Sequence, residues 1–345
     1  MTTEYLNPDI FNESVKRVST RKGFGEGLLE LGERDERVVV LCADLTDSTE
    51  SRMFADRFPD RFVQVGVAEQ NLATVASGMA SMGKIPFITS YAIFSPGRNW
   101  EQVRTTICYN NQPVKIVGSH VGVTVGPDGG SHQALEDIAI TRVIPRMTVI
   151  SPCDALEAKR ATLALGLTDT PVYIRLARNK TPVITTEETE FEIGKASLFY
   201  GGRDERADVG IVATGPLVHR AMLVAKRLES ESGIKVKVLN LSTIKPLDEE
   251  ALLELAKETG AFVTVEEHQK AGGMGSAVSE FLSRSLPTPM EFVGVDDSFG
   301  ESGEDEELLD RFGMSEESIS GAVFRVIERK VNSQPVLKNK KEPLQ

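Results

Sequence analysis

Short apolar runs of strand length alternate with longer amphipathic runs along almost the whole chain, and few folds accept that rhythm. In the first half the short runs lie at residues 38–42, 61–65, 85–90, 114–118, 147–151 and 171–176, and they are rich in Val and Ile. Between them, residues 22–33, 69–82 and 155–167 repeat their apolar positions with helical spacing. Continuous apolar strands separated by helices make a parallel sheet buried on both faces, because the crossover helices cover it. Residues 178–193 break the rhythm with Pro182, four Thr and an acidic stretch, and read as an exposed linker. A second pattern follows, with strands expected at 208–213, 234–240, 261–266 and 291–295, and helices near 216–232, 247–258, 275–286 and 316–329. The fold class expected is therefore α/β, with two doubly wound domains, the second smaller. The length of 345 residues agrees, at about 150 residues per domain.

Charge narrows the partners. Lys and Arg total 39 against 51 Asp and Glu, a net charge of -12. Such a surface does not suit non-specific binding to nucleic acid or anionic membranes, although local basic pockets for phosphate remain open. No run approaches the ~18 apolar residues of a membrane span. Residues 1–15 hold Glu4, Asp9 and Glu13 and no apolar core, so no secretory signal is expected there. Cys42, Cys108 and Cys153 are widely spaced and odd in number, which fits a reducing cytoplasm. Without a C-x-x-C pair or an H-E-x-x-H helix, no metal site is expected on this chain.

In an open parallel sheet, ligands bind beyond the carboxyl ends of the strands. The residues that follow each strand are therefore the candidates. Asp44-Leu45-Thr46-Asp47-Ser48 suits a phosphate or a hydroxylated ligand, or simply caps a helix. Glu69 follows Gly66-Val67-Ala68 at a helix start, where the helix dipole alone would favour a carboxylate. Its helix carries Ala73, Ala76, Ser77, Gly78, Ala80 and Ser81, small enough to let another subunit approach. Tyr91 and Phe94 stand three apart at a strand end and could stack on a flat ring or belong to the core. Residues 119–133 include four Gly, yet hold His120, Asp128 and His132, which reads as a polar active-site loop. Arg178 follows the last strand, with Arg175 inside it; Arg178 could hold a phosphate or make a surface ion pair. The Gly-rich turn after Glu266, Gly272-Gly273-Met274-Gly275, reads as close helix packing. His219 reads as structural, and the acidic cluster 301–310 as a solvated loop and helix start.

In this order the loops resemble the thiamine-diphosphate enzymes of the transketolase family. The resemblance is carried mainly by Gly66-Val67-Ala68-Glu69-Gln70-Asn71 and by Gly126-Pro127-Asp128-Gly129-Gly130-Ser131-His132-Gln133. Support comes from Thr20-Arg21-Lys22, residues 43–48, residues 91–104, Pro152-Cys153-Asp154 and residues 266–275. It covers the family's pyrimidine-binding and C-terminal domains, placed at 15–183 and 201–330, with a linker at 184–200 and a disordered tail at 331–345. The chain lacks the Gly-Asp-Gly of the diphosphate-binding domain. The resemblance therefore implies the C-terminal subunit of a split transketolase, with Mg2+ ligands supplied by a separate N-terminal subunit, in a cytoplasmic heterotetramer of two copies each.

The family's reaction moves a two-carbon ketol unit from a ketose phosphate such as xylulose 5-phosphate to an aldose phosphate, through a thiamine-diphosphate ylide. By resemblance, Glu69 is catalytic and bonds the aminopyrimidine. Phe94, Tyr91 and Arg98 belong to the cofactor pocket. Asp128 and His132 meet the donor sugar, and Arg21, Ser48, His120 and Arg178 hold its phosphate. The sequence departs from the family pattern at Tyr91, usually Phe, and at Val121, where Asp is usual. Three rivals are weighed. The beta subunit of a 2-oxo acid dehydrogenase would share Glu69 but has no use for the sugar-phosphate set. A deoxyxylulose-phosphate-synthase-like enzyme shares Asp-Gly-x-x-His but does not usually have the counterpart of His120. A non-catalytic regulatory partner would have no reason to keep Glu69.

Overall fold

The computed structural model describes residues 5–202 and 205–333. Its strands, in chain order, are β1 (Arg17–Ser19), β2 (Val38–Cys42), β3 (Phe62–Gln64), β4 (Ile85–Tyr91), β5 (Lys115–Ser119), β6 (Thr148–Ile150) and β7 (Val172–Leu176). There follow β8 (Lys180–Pro182), β9 (Ser197–Tyr200), β10 (Val209–Ala213), β11 (Val236–Asn240), β12 (Thr243–Lys245), β13 (Phe262–Gln269) and β14 (Met290–Val295). The helices are α1 (Thr20–Arg34), α2 (Arg52–Arg57), α3 (Glu69–Ser81), α4 (Trp100–Gln102), α5 (Asp137–Arg142), α6 (Ala155–Leu165), α7 (Leu217–Ser232), α8 (Glu249–Thr259), α9 (Met274–Ser285), α10 (Asp305–Arg311) and α11 (Glu316–Ser333). Helix α4 runs on as a π-helix, Val103–Tyr109.

The first sheet has the order β12-β6-β7-β5-β4-β2-β3, and the second the order β14-β13-β10-β11-β9. All neighbours in the first sheet are parallel except β12 on β6. Every residue of β2, β5 and β7 is buried, and β2 is apolar throughout, as a strand covered on both faces should be. One core packs Phe24, Leu28, Phe54 and Phe87 on one side of this sheet. On its other face, Leu72, Ala76, Ile88 and Ile107 continue into the second domain through Leu239, Leu252 and Phe262.

Several expectations need correction. The first part of 178–193 is not an exposed linker, although Glu187, Glu188, Glu190 and Glu192 are exposed. Lys180–Pro182 pairs antiparallel with Arg17–Ser19, and Thr181, Val183, Ile184 and Thr185 are buried. Asp154 binds this stretch: its Oδ2 accepts from the amides of Ile184 and Thr185 at 2.7 and 2.6 Å. The linker expected at 184–200 ends in β9, so the second sheet has five strands, with β9 antiparallel at its edge. Strand β12 leaves the second domain to join the first sheet, so the two domains share a sheet edge. Most small residues of α3 face inward: Ala73, Ala76, Ser77 and Ala80 are buried, and only Gly78 and Ser81 are exposed. Of the expected tail, Val331–Ser333 form the end of α11, and 334–345 lie outside the described residues. No helix among the described residues is long and apolar enough to cross a membrane.

Candidate active site

The parallel strands end along one edge, and their following loops bring the candidate residues together. Glu69 opens α3, and its carboxylate is only 2% exposed. The helix N-terminus favours a negative charge there. Asn99 Nδ2 donates to the Glu69 carbonyl at 2.9 Å, which anchors this first turn. Arg98 Nη1 donates to Glu69 Oε2 at 2.8 Å, and its guanidinium also lies 4.9 Å from the Phe94 ring centre. Gly97 is required beside it, because a Cβ at that position would come within 1.9 Å of the Ile93 carbonyl oxygen.

Aromatic rings fill the mouth of β4 and β5. Tyr91 and Phe94 lie nearly parallel, with centres 6.1 Å apart. His120 stacks on Tyr91 at 3.8 Å, while His132 meets Phe94 edge-on at 5.5 Å. His120 is buried, and Ser119 Oγ lies 2.9 Å from its Nδ1. Burial pushes its imidazole down to about 3, helped by the charges of Arg21, Arg178 and His132. It is therefore neutral at physiological pH. In the tautomer whose Nδ1 accepts from Ser119, Nε2 carries the proton and can donate to an anion.

Arg21 lies in the first turn of α1 and donates to the carbonyls of Ser48 and Arg178, drawing the three residues together. Its Nε is buried and has no partner. Burial lowers its affinity for the proton, yet Arg21 stays charged. Arg21 and Arg178 line a cleft of about 550 Å3 with Arg17, Lys22 and Lys180. Glu50 is the one carboxylate on its wall. A second cleft, of about 560 Å3, lies at the edge of the second sheet between residues 189–199 and α8, and it holds none of the candidate residues.

Asp128 ends a 3-10 stretch, Val123–Asp128, and is exposed; His132 follows in the same loop. The acidic cluster is a loop and helix start as expected, with Glu304, Glu306, Glu307 and Asp310 exposed, and its first residues also pack on this loop. Ser302 Oγ donates to the Pro127 carbonyl at 2.7 Å, and Gln133 Nε2 donates to the Glu301 carbonyl at 2.8 Å. These contacts use backbone oxygens, so the composition of 301–310 gives no hint of them.

Two roles escaped the sequence reading. Arg175 does not reach the cleft: it is buried in β7 and bonds Asp137 at 2.8 and 3.0 Å. Tyr173 donates to the same carboxylate at 2.6 Å. Burial pushes the Asp137 carboxyl up, but Arg175 more than offsets this and holds it below the usual range. An Arg inside an otherwise apolar strand was the available signal. The second role is that of Glu267, whose carboxylate grips the loop of Asp128 from the second domain. Among the described residues no three or more His, Cys, Asp or Glu converge as a metal would need.

Comparison with known proteins identifies the family. The family model described as "Transketolase, pyrimidine binding domain" matches residues 16–183, and "Transketolase, C-terminal domain" matches residues 202–319. A putative transketolase C-terminal section from Methanocaldococcus jannaschii is 43% identical over 312 residues, covering 90% of this chain and 96% of that protein. A 6-deoxy-6-sulfo-D-fructose transketolase subunit from a Clostridium species is 44% identical, covering 88% of this chain and 92% of that protein. A solved structure titled "Split gene transketolase, inactive beta4 tetramer" superposes with a TM-score of 0.84 at 42% identity, over 91% of this chain and 99% of that one. Human transketolase is 33% identical, and the chain spans 50% of it. The chain therefore belongs to the transketolase family, and it matches nearly end to end the C-terminal subunits of that family's split members.

Proposed function

We propose that the chain is the catalytic C-terminal subunit of a split transketolase. It would transfer a two-carbon ketol unit from a ketose phosphate, such as xylulose 5-phosphate, to an aldose phosphate. The observation that carries this reading is the buried Glu69 carboxylate beside the parallel faces of Tyr91 and Phe94. A buried acceptor next to flat aromatic faces fits an aminopyrimidine, so Glu69, Tyr91 and Phe94 would hold that part of thiamine diphosphate, while Arg98, in the same pocket, would give way to it. When bound, the cofactor supplies the carbanion chemistry at its thiazolium ring. Glu69 would accept a hydrogen bond at the pyrimidine and tune its proton transfers. Asp128 and His132 would bind the donor's hydroxyls. Arg21, Ser48, His120 and Arg178 would hold the terminal anion, with His120 donating from Nε2.

Relatives include a 6-deoxy-6-sulfo-D-fructose transketolase subunit and an apulose-4-phosphate transketolase subunit. Both named sugars end in an anion, which suits the basic cleft of Arg21 and Arg178. The chain lacks the Gly-Asp-Gly motif of the family's diphosphate-binding domain, so we assign the metal's ligands to the N-terminal partner, and no step here runs through the metal. Two copies of each subunit complete the assembly.

The test mixes this chain with the N-terminal subunit, thiamine diphosphate and Mg2+. Two-carbon transfer from xylulose 5-phosphate to ribose 5-phosphate is expected in the mixture and in neither chain alone. Activity from the pure chain refutes the split arrangement. No transfer by a verified complex, with either phosphorylated or sulfonated donors, refutes the transketolase assignment.

A further inference from the structure

The loop that carries Asp128 and His132 is tethered by the second domain, and Glu267 makes a double tie. Glu267 Oε1 accepts from the Thr124 amide and from Thr124 Oγ1, each at 2.7 Å. Thr124 stands four residues before Asp128, inside the Val123–Asp128 stretch. The opposite side of Thr124 is held as well. Asn179, next to Arg178, donates from Nδ2 to the Thr124 carbonyl at 2.8 Å and also to Asp305. Thr124 thus joins the Asp128 loop, the Arg178 loop and two elements of the second domain.

The local backbone is built around this carboxylate. Gly122 has φ 80°, and a Cβ there would fall 2.1 Å from Glu267 Oε1. Only glycine leaves room for the carboxylate to reach Thr124. Glu267 is itself held, because Arg175 Nη2 donates to its carbonyl at 3.2 Å. Burying a carboxylate without a cationic partner within ion-pair distance is costly. Burial pushes Glu267 up to about 7, against the pull of Thr124 and Arg175, while Asp305 adds to the rise. A group kept under such conditions has a use, and this one touches none of the residues assigned to substrate.

We propose that Glu267 is a positioning residue, which acts from the second domain through Thr124 to set Asp128 and His132 against the donor sugar. The inference rests on the assignment of Asp128 and His132 to the sugar. It gives the C-terminal domain a part in the reaction that no candidate residue had supplied. Three variants test it in the two-subunit complex: Glu267→Ala removes the acceptor, Glu267→Gln keeps an oxygen in its place, and Thr124→Val removes one donor.

Misplacement of a binding group by about 1 Å can cost roughly 100-fold. Glu267→Ala is expected to lower kcat/KM for the ketose donor about 10- to 100-fold, while the Kd for thiamine diphosphate stays within about twofold. Thr124→Val should lose less, and Glu267→Gln should recover to within about threefold of the parent. On an Asp128→Ala background, Glu267→Ala should cost clearly less than in the parent, leaving only the misplacement of His132. Fully additive losses, or an equal rise in the cofactor Kd, would overturn the proposal. Hydrogen exchange separates the proposal from the functional reading. Amides of 122–132 should exchange at least about tenfold faster in Glu267→Ala, with those of β2, β4 and β5 unchanged. Unchanged exchange in the loop overturns the proposal whether or not the complex transfers ketol units. A parent complex without transfer refutes only the functional reading.

Discussion

Arg98 Nη1 and Glu69 Oε2 form an ion pair at 2.8 Å in which the carboxylate side chain is 2% exposed and the arginine 50%. The same guanidinium sits over Phe94. Arg98 thus covers the two surfaces that an aminopyrimidine would need, a buried acceptor and an aromatic face. If the pyrimidine binds there, it would compete with Arg98 for both surfaces, and the guanidinium would have to swing aside. Arg98→Ala should therefore lower the Kd of thiamine diphosphate for the complex by about threefold to tenfold, an advantage of roughly 1 kcal/mol. The same change strips a buried carboxylate of its partner. With Arg98 half exposed, the expected loss of stability is about 1–2 kcal/mol. Titration calorimetry and thermal unfolding read both quantities. A rise in Kd would mean that Arg98 grips the cofactor and does not give way to it.

Glu69 itself gives a sharper test. If its carboxylate tunes proton transfer at the pyrimidine, its loss should cost about 100-fold or more in kcat. Glu69→Ala is expected to eliminate measurable ketol transfer by the complex while leaving the far-ultraviolet circular dichroism unchanged. Substantial residual turnover would remove Glu69 from the cofactor site.

Legibility followed burial. Strands such as Val38–Cys42 stood out because a parallel strand covered on both faces is apolar throughout. Ser197–Tyr200 and Thr243–Lys245 did not, since short antiparallel edge strands owe their place to distant partners and not to local pattern. Glu69, Phe94, Asp128, His132 and Arg178 were visible as polar or aromatic residues just beyond strand ends. The ties among them were not. Glu69 meets Arg98, 29 positions away, and Thr124 meets Glu267, 143 positions away. A glutamate near the end of a strand, just before a Gly-rich turn, looks like any helix-capping residue. Its neighbour Glu266 does cap, accepting from the amides of Met274 and Gly275 at 2.6 and 2.8 Å. Which of two adjacent glutamates faces the other domain depends on the alternation of the strand, and its register is set by the fold.

Arg178 lines the basic cleft with Arg21, which donates to its carbonyl. A guanidinium that holds a terminal phosphate contributes to substrate binding and not to the cofactor. Arg178→Ala should therefore raise KM for sugar phosphates about 10- to 100-fold, the cost of one charge-assisted contact. The Kd for thiamine diphosphate should change by less than about twofold. Steady-state kinetics with saturating cofactor, paired with direct cofactor titration, separates the two. Equal effects on both would show that Arg178 is not a phosphate ligand.

His120 links the anion cleft to stability. Its imidazole is pushed down to about 3, first by burial and then by Arg21, Arg178 and His132. In the unfolded chain a histidine titrates near 6.5. Between those values the unfolded state binds a proton that the folded state refuses, so stability rises with pH across this window. The contribution is complete above about pH 6.5 and is lost as pH falls toward 3, with a limiting slope of about 1.4 kcal/mol per pH unit for one proton. His120→Asn removes that proton and leaves a polar side chain of similar reach. Its unfolding free energy should fall less steeply than the parent's between pH 6.5 and 4.5, measured by denaturant titration at several pH values. Parallel curves for the two proteins would mean that His120 protonates in the folded state, and a charged imidazolium would then face Arg21 and Arg178. The same neutrality bears on catalysis. A ring that stays neutral down to about 3 cannot supply the acid limb of a pH–rate profile, so His120→Asn should leave the lower apparent pKa of kcat/KM in place while raising KM for the phosphorylated donor.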